Sequence, residues 1–147
     1  MKINAKYFGS VSFQENDLIS FPEGLLGFES YQNFLPIPLQ EKNDTLISLQ
    51  SIDNENLSFI IINPFVFFPE YAPALSEKDK KELNIQSEDD LSYYAICVIN
   101  ESLSSSTANL KAPIVINAKS RVGKQVILDS QIYSFRHSIP SFEDRRE

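Results

Sequence analysis

Histidine and cysteine are nearly missing from this 147-residue chain, which has only His137 and Cys97. No multi-histidine metal site can be built, and zinc ligation by thiolate and imidazole has almost nothing to draw on. A lone cysteine allows no internal disulfide, in keeping with a reducing compartment. Glycine is scarce as well, at four residues, and none sits in a phosphate-cradling loop or a G-x-S-x-G elbow. Asp53-Asn54-Glu55 lacks both the glycine and the distal glutamate of a Ca²⁺ loop. Positive charge is outnumbered, 13 Lys and Arg against 20 Asp and Glu, giving a net charge of −7. Such a field repels phosphate backbones and favours encounter with a basic partner, which argues against direct nucleic-acid binding. No apolar run approaches the roughly 20 residues that span a bilayer. The amino terminus, MKINAKYFGSVSF, is polar and alternating and lacks the apolar run of a signal peptide. A cytoplasmic protein with no membrane partner is expected.

Catalytic constellations are hard to find. Cys97 lies in the most apolar stretch, where burial raises a thiol pKa and leaves it inert. A general base at His137 would need a positioned nucleophile nearby, and none is indicated. The carboxylate runs Glu77 to Glu82 and Glu88 to Asp90 read as solvated faces and first-turn helix residues. No enzymatic activity and no cofactor are expected.

What the chain does contain is alternation. Leu110, Ala112, Ile114 and Ile116 alternate with Lys111, Pro113, Val115 and Asn117, the pattern of a strand with one buried face. Gln125 to Leu128 supplies a second arm, with Ser120-Arg121-Val122-Gly123 as the connection and Gly123 as the residue expected at positive φ. Earlier strands follow at Ile3 to Tyr7, Val11 to Phe13, Leu18 to Phe21, Asn33 to Leu39, Thr45 to Ile52 and Leu57 to Asn63. Pro36 and Pro38 mark an edge. Phe28 to Tyr31 is expected to form a single helical turn. Phe59 to Ile62 is apolar throughout and so buried on both faces. Ser92 to Asn100 is also apolar on both faces and should be central. Asn63 to Pro73 is dense in aromatics but broken by prolines, so an extended, irregular segment is expected there. Ser76 and Ser87 each precede acidic residues in a capping pattern, opening two short helices that must dock through Leu83, Ile85 and Leu91. Tyr133 to His137 is a candidate closing strand. The chain therefore reads as mainly β: a small antiparallel β-barrel or strongly curved sheet with a short helical insertion around residues 76–91. The expected domain is 1–138, with 139–147 a variable or frayed tail.

Two features suggest contact with a partner. Phe65, Phe67, Phe68 and Tyr71 are either core or an exposed anchor patch, and both readings stand at this level. Lys119, Arg121 and Lys124 cluster at a hairpin tip, which is either a solvated turn or a docking point for an acidic peptide. Glu70, Asp89 and Asp90 are candidates for steering a basic partner. The function class competing with an interaction protein is a small barrel that takes a sugar or other ligand in its mouth through Tyr31, Tyr93 or Tyr94.

Five successive segments resemble a known family: Phe21-Pro22-Glu23-Gly24-Leu25-Leu26-Gly27-Phe28-Glu29, Asn63 to Tyr71, Asn109 to Asn117, Gly123 to Leu128 and Tyr133 to His137. In order and over about 115 residues they are similar to the signatures of the bacterial flagellar assembly factor FliW family. The resemblance implies a small antiparallel barrel without catalytic activity that acts as a protein antagonist. The partners it implies are the regulator CsrA, a basic RNA-binding dimer, and flagellin. The family member keeps CsrA from repressing flagellin mRNA translation, and flagellin competes for it. The aromatic stretch is then expected to anchor the regulator, and the basic tip to take a polar or acidic peptide such as the flagellin tail.

Overall fold

A computed structural model describes residues 1–40, 43–101 and 105–139. Eleven strands and two short helices are present among them: β1 (Lys2–Ala5), β2 (Gly9–Ser12), β3 (Ile19–Ser20), β4 (Asn33–Gln40), β5 (Asn43–Ser51), β6 (Ser58–Ile62), α1 (Pro64–Phe67), α2 (Glu77–Glu82), β7 (Leu91–Val98), β8 (Thr107–Ala108), β9 (Ile114–Asn117), β10 (Val122–Gln125) and β11 (His137–Ser138). β1 and β2 form a separate hairpin. The other strands pair in the order β11-β8-β7-β6-β5-β4-β3-β10-β9, and a further β7–β9 pairing closes β3, β4, β5, β6, β7, β9 and β10 into a seven-stranded barrel. All pairings in the ring are antiparallel except β3–β10.

Closure depends on β7 serving two partners along one edge. Leu91 to Tyr94 pair with β9, whereas Cys97 and Val98 pair with β8. Closure therefore comes from β9, while of the expected 133–137 strand only His137 is in a strand, the two-residue β11 against β8, outside the ring.

Period-two alternation divides the apolar residues between two cores. Phe21, Phe34, Leu49, Ile61, Ile114 and Ile116 fill the barrel. Ile62, Phe67, Leu83, Ala95, Leu110 and Val115 form a second cluster on the outer face. Neighbours such as Ile61 and Ile62, or Ile114 and Val115, thus fall on opposite sides of the wall, so β6 and β9 are apolar on both faces. The outer cluster is roofed by the insertion, docked through Leu83, Ile85 and Leu91 as expected. Both serine caps form: the Ser76 hydroxyl accepts from the Asp79 N–H at 3.1 Å and that of Ser87 from the Asp89 N–H at 3.2 Å.

Four local expectations are corrected. Phe28 to Tyr31 is a succession of turns and not a helical turn. Asn63 to Phe68 contains one helical turn despite Pro64: proline occupies the first helical position, where its missing N–H costs nothing, and the Asn63 side chain caps the Phe65 N–H. In the β9–β10 hairpin the returning arm begins at Val122 and the turn is 118–121, with Arg121 rather than Gly123 at positive φ (58°). Gly123 is required for space instead, because a Cβ there would lie 2.5 Å from the Phe21 ring. The Pro36/Pro38 edge is present: Asn33 turns its carbonyl to Ile52, so residues of the opposite parity face the far side, where β3 begins only at Ile19, opposite Phe34, and its pairing does not reach the two prolines.

Ile139 is buried and its N–H donates to the Ser106 carbonyl at 3.0 Å, while the rest of the expected tail and Ser102 to Ser104 lie outside the described residues.

Candidate functional site

The α1 turn sorts the aromatic stretch by helical geometry. Phe67 points inward and is 2% exposed, Tyr71 is buried beside it, and Phe65 faces out at 40% exposure. Core and surface readings of this stretch are therefore both realised, on different residues. The Phe65 ring leans on Tyr71 and Tyr93, with centroids 5.8 Å away in each case. Tyr71 donates its hydroxyl to the Leu110 carbonyl at 2.8 Å, and burial, reinforced by Tyr133 and Tyr93, pushes its pKa well above the ordinary range. It therefore acts as a neutral strut. Tyr133 stacks edge-on against Tyr71 at 4.8 Å and accepts the Ala72 N–H at 2.8 Å.

Beside this turn is a groove of about 530 Å³ lined by Phe68, Glu70, Tyr71, Ile132, Tyr133 and His137. Ile132 stands at its edge, 74% exposed. His137 accepts the Ser134 N–H on Nε2 at 2.7 Å and sets its ring against Phe68, which makes it a packing and turn-closing residue. Sequence reasoning named Phe68, Glu70 and Tyr71 but missed Ile132 and Tyr133. The available signal was their adjacency in an otherwise polar stretch, Ser130 to Ser134.

Lys119 stands at the hairpin turn with its side chain 73% exposed, as a solvated tip would have it, but Lys124 and Arg121 are held by other groups. Lys124 lies within β10, its side chain 17% exposed, where Nζ reaches Asp79 Oδ1 at 2.8 Å, pairs with Glu82 and approaches Glu23 at 3.9 Å. Burial alone would pull its pKa down, but hydrogen bonds to Asp79 and Glu82 outweigh this and raise it. Burial would likewise raise Asp79, yet Lys124 and Ser76 hold it below the ordinary carboxylate range. Arg121 donates Nε to the Leu18 carbonyl at 3.1 Å and Nη2 to that of Asp17 at 2.6 Å, tying the hairpin turn to the segment before β3. Lys119 pairs with Asp90 at 3.6 Å, so that two residues expected to meet different partners meet each other. Of the three expected steering acids, Glu70 and Asp89 are exposed and Asp90 is largely covered, its side chain 12% exposed.

Lys124→Met should accordingly destabilise the protein by about 1–3 kcal/mol, where a solvated tip lysine would cost next to nothing. The pH dependence carries a sign. The Asp79 contribution is present above the unfolded carboxylate pKa of about 3.9 and is lost as pH falls below it. The Lys124 contribution is complete below about 10.4 and lost as pH rises through its raised folded value. Urea unfolding from pH 7 down to pH 3 should show a smaller acid loss in Lys124→Met than in wild type.

Cys97 is buried in β7 and its thiol is pushed up to about 12 by burial, so it is protonated and unreactive near neutrality. The three tyrosines considered for a ligand site do not converge: Tyr93 packs on the outer cluster, while Tyr31 and Tyr94 pack on the interior one. Tyr94 lines a cavity of about 280 Å³ between Pro36, Pro38 and Ile116, and Tyr31 meets the Asn54 amide at 3.4 Å in the loop between β5 and β6. No described helix is long and apolar enough to cross a membrane.

A closed seven-stranded barrel, roofed on one outer face by a capped helical insertion and carrying an aromatic groove beside it, defines the class of the molecule. The chain belongs to the FliW family: the family model described as FliW protein matches residues 2–139. It is 42% identical over 139 residues to the flagellar assembly factor FliW of Caldanaerobacter subterraneus subsp. tengcongensis, covering 95% of this chain and 93% of that one. It is 34% identical to the Clostridium botulinum protein of the same name, covering 95% and 96%. A crystal structure of the flagellar assembly factor FliW superposes with a TM-score of 0.89 at 36% identity, covering 97% of this chain and 99% of that one.

Proposed function

We propose that this chain is a non-enzymatic cytoplasmic regulator of flagellar assembly that binds a CsrA-type RNA-binding protein, relieves its repression of flagellin mRNA translation, and is drawn off by flagellin as the competing partner. The observation that carries this reading is the aromatic surface on a family member: Phe65 and Ile132 expose large apolar area next to the Phe68–Tyr133 groove. Apolar area is tolerated in water chiefly where a partner covers it. Phe65, Phe68 and Glu70 are the proposed contacts, with Phe67 and Tyr71 supporting them from beneath. Asp89 and the overall charge of −7 draw the basic regulator in. Lys119, Arg121 and Lys124 serve this function indirectly by holding the insertion and hairpin in place.

A gel-shift assay with the regulator bound to a flagellin mRNA leader tests this. Added protein should release the RNA, and added flagellin should restore the complex. RNA that stays bound at every protein concentration contradicts the proposal. Phe65→Ala should weaken the regulator complex by about 2 kcal/mol at a nearly unchanged melting temperature. The association rate should also fall as salt rises, and a rate indifferent to ionic strength contradicts electrostatic steering.

A further inference from the structure

The end of the barrel built by 21–34, 51–59 and 96–101 has two properties that suit it to docking. First, it presents apolar side chains from backbone that is fixed in advance. Three successive turns close through Gly24 N–H to the Phe21 carbonyl, Phe28 N–H to the Leu25 carbonyl and Tyr31 N–H to the Phe28 carbonyl, at 2.8, 2.8 and 3.1 Å. Leu26 N–H donates to Gln125 Oε1 at 2.9 Å, and the same side chain donates to the Ala112 carbonyl at 3.0 Å, locking the loop to the barrel wall. The loop nevertheless leaves Leu26 at 49% exposure, and across the barrel end Val98 stands at 58%. Phe28 stands on the β6 side of this end: its ring meets Phe59 edge-on at 5.1 Å, and the β6–β7 pairing begins one residue further in, at Ile60 and Cys97.

Second, the charge on these three segments has one sign, although exposed Lys6 lies beside the 51–57 loop, its backbone N–H donating to Gln50 Oε1 at 2.8 Å. Those three segments carry Glu23, Glu29, Asp53, Glu55 and Glu101, all exposed, and no Lys or Arg. Asp79, Glu82 and Asp90, at the insertion, are paired with lysines. Among the described residues Glu29, Asp53, Glu55 and Glu101 have no such partner, and Glu23 approaches only Lys124, at 3.9 Å. A preformed apolar patch collared by unpaired carboxylates complements a protein segment that offers an apolar side chain flanked by Lys or Arg.

We propose that this barrel end is a docking surface for a basic segment of the RNA-binding regulator, distinct from the aromatic groove. The assignment rests on the function proposed above and adds the surface on which charge selects the regulator over flagellin. Two double variants test it by calorimetry, Leu26→Lys/Val98→Lys for the apolar patch and Asp53→Lys/Glu101→Lys for the collar. Both pairs are exposed, so melting temperatures should hold. Each variant should bind a CsrA-type regulator about tenfold or more weakly while binding flagellin as wild type does. Wild-type affinity for the regulator in both variants overturns this surface and leaves the proposed function standing. Equal losses for both partners overturn its selectivity. A wild-type protein that does not bind the regulator overturns both.

Discussion

Phe67→Ala is expected to lower the unfolding free energy by about 3–5 kcal/mol, because its side chain is buried in the outer core and truncation leaves a cavity that the surrounding sheet and insertion cannot close. For a chain of this size that corresponds to a melting temperature lower by roughly 10 °C. Phe65→Ala, two residues away and 40% exposed, should move it little. The contrast separates anchor from support: only the Phe65 variant can lose partner affinity while folding normally. Urea unfolding of the two variants side by side checks it. A Phe67→Ala protein as stable as wild type would place that ring at the surface and undo the assignment of the α1 turn.

Gly24→Ala should be comparably damaging for a different reason. Gly24 sits at φ 69°, where an L side chain costs about 1–2 kcal/mol. A Cβ there would also lie 2.4 Å from Glu29 Cα, a backbone atom that no rotamer change can move aside. Overpacking of this kind adds about 1–3 kcal/mol, giving roughly 2–5 kcal/mol in all. Glu29 accepts the Gly27 N–H on its carboxylate at 3.2 Å within the loop that holds Leu26 and Phe28, so a variant that still folds should present that loop differently and bind the regulator more weakly. Thermal melting measures the first effect. An unchanged melting temperature would show that the turn has slack.

The strands most legible in the sequence were those whose pattern is local. β6 and β7 declared packing on both faces through their apolar runs, although Val98 and Ile99 at the far end of the second run are exposed, and Ser76 and Ser87 marked helix starts within three residues of the groups they cap. What the sequence concealed is mostly long-range. Nothing near Lys124 announces Asp79 and Glu82, 45 and 42 residues earlier, so an internal ion-pair cluster read as a solvated tip. Closure through β7 and β9 was hidden for the same reason, since an edge shared by two successive partners leaves no periodic trace. Gly123 was misread because a glycine in a hairpin suggests positive φ, whereas this one makes room for Phe21. The aromatic stretch was underdetermined by composition, since proline at the first position of a helical turn looks the same as proline in an irregular loop until the Asn63 cap is seen. The acidic barrel end escaped notice because its five carboxylates come from three segments, each with one or two.

Calorimetric titration of this protein with a CsrA-type regulator, followed by flagellin, tests the central claim most directly. Submicromolar binding to the regulator and displacement by flagellin are expected. No heat with either partner, together with thermal stabilisation by a small sugar-like ligand, would contradict it and turn attention to the barrel mouth at Tyr94.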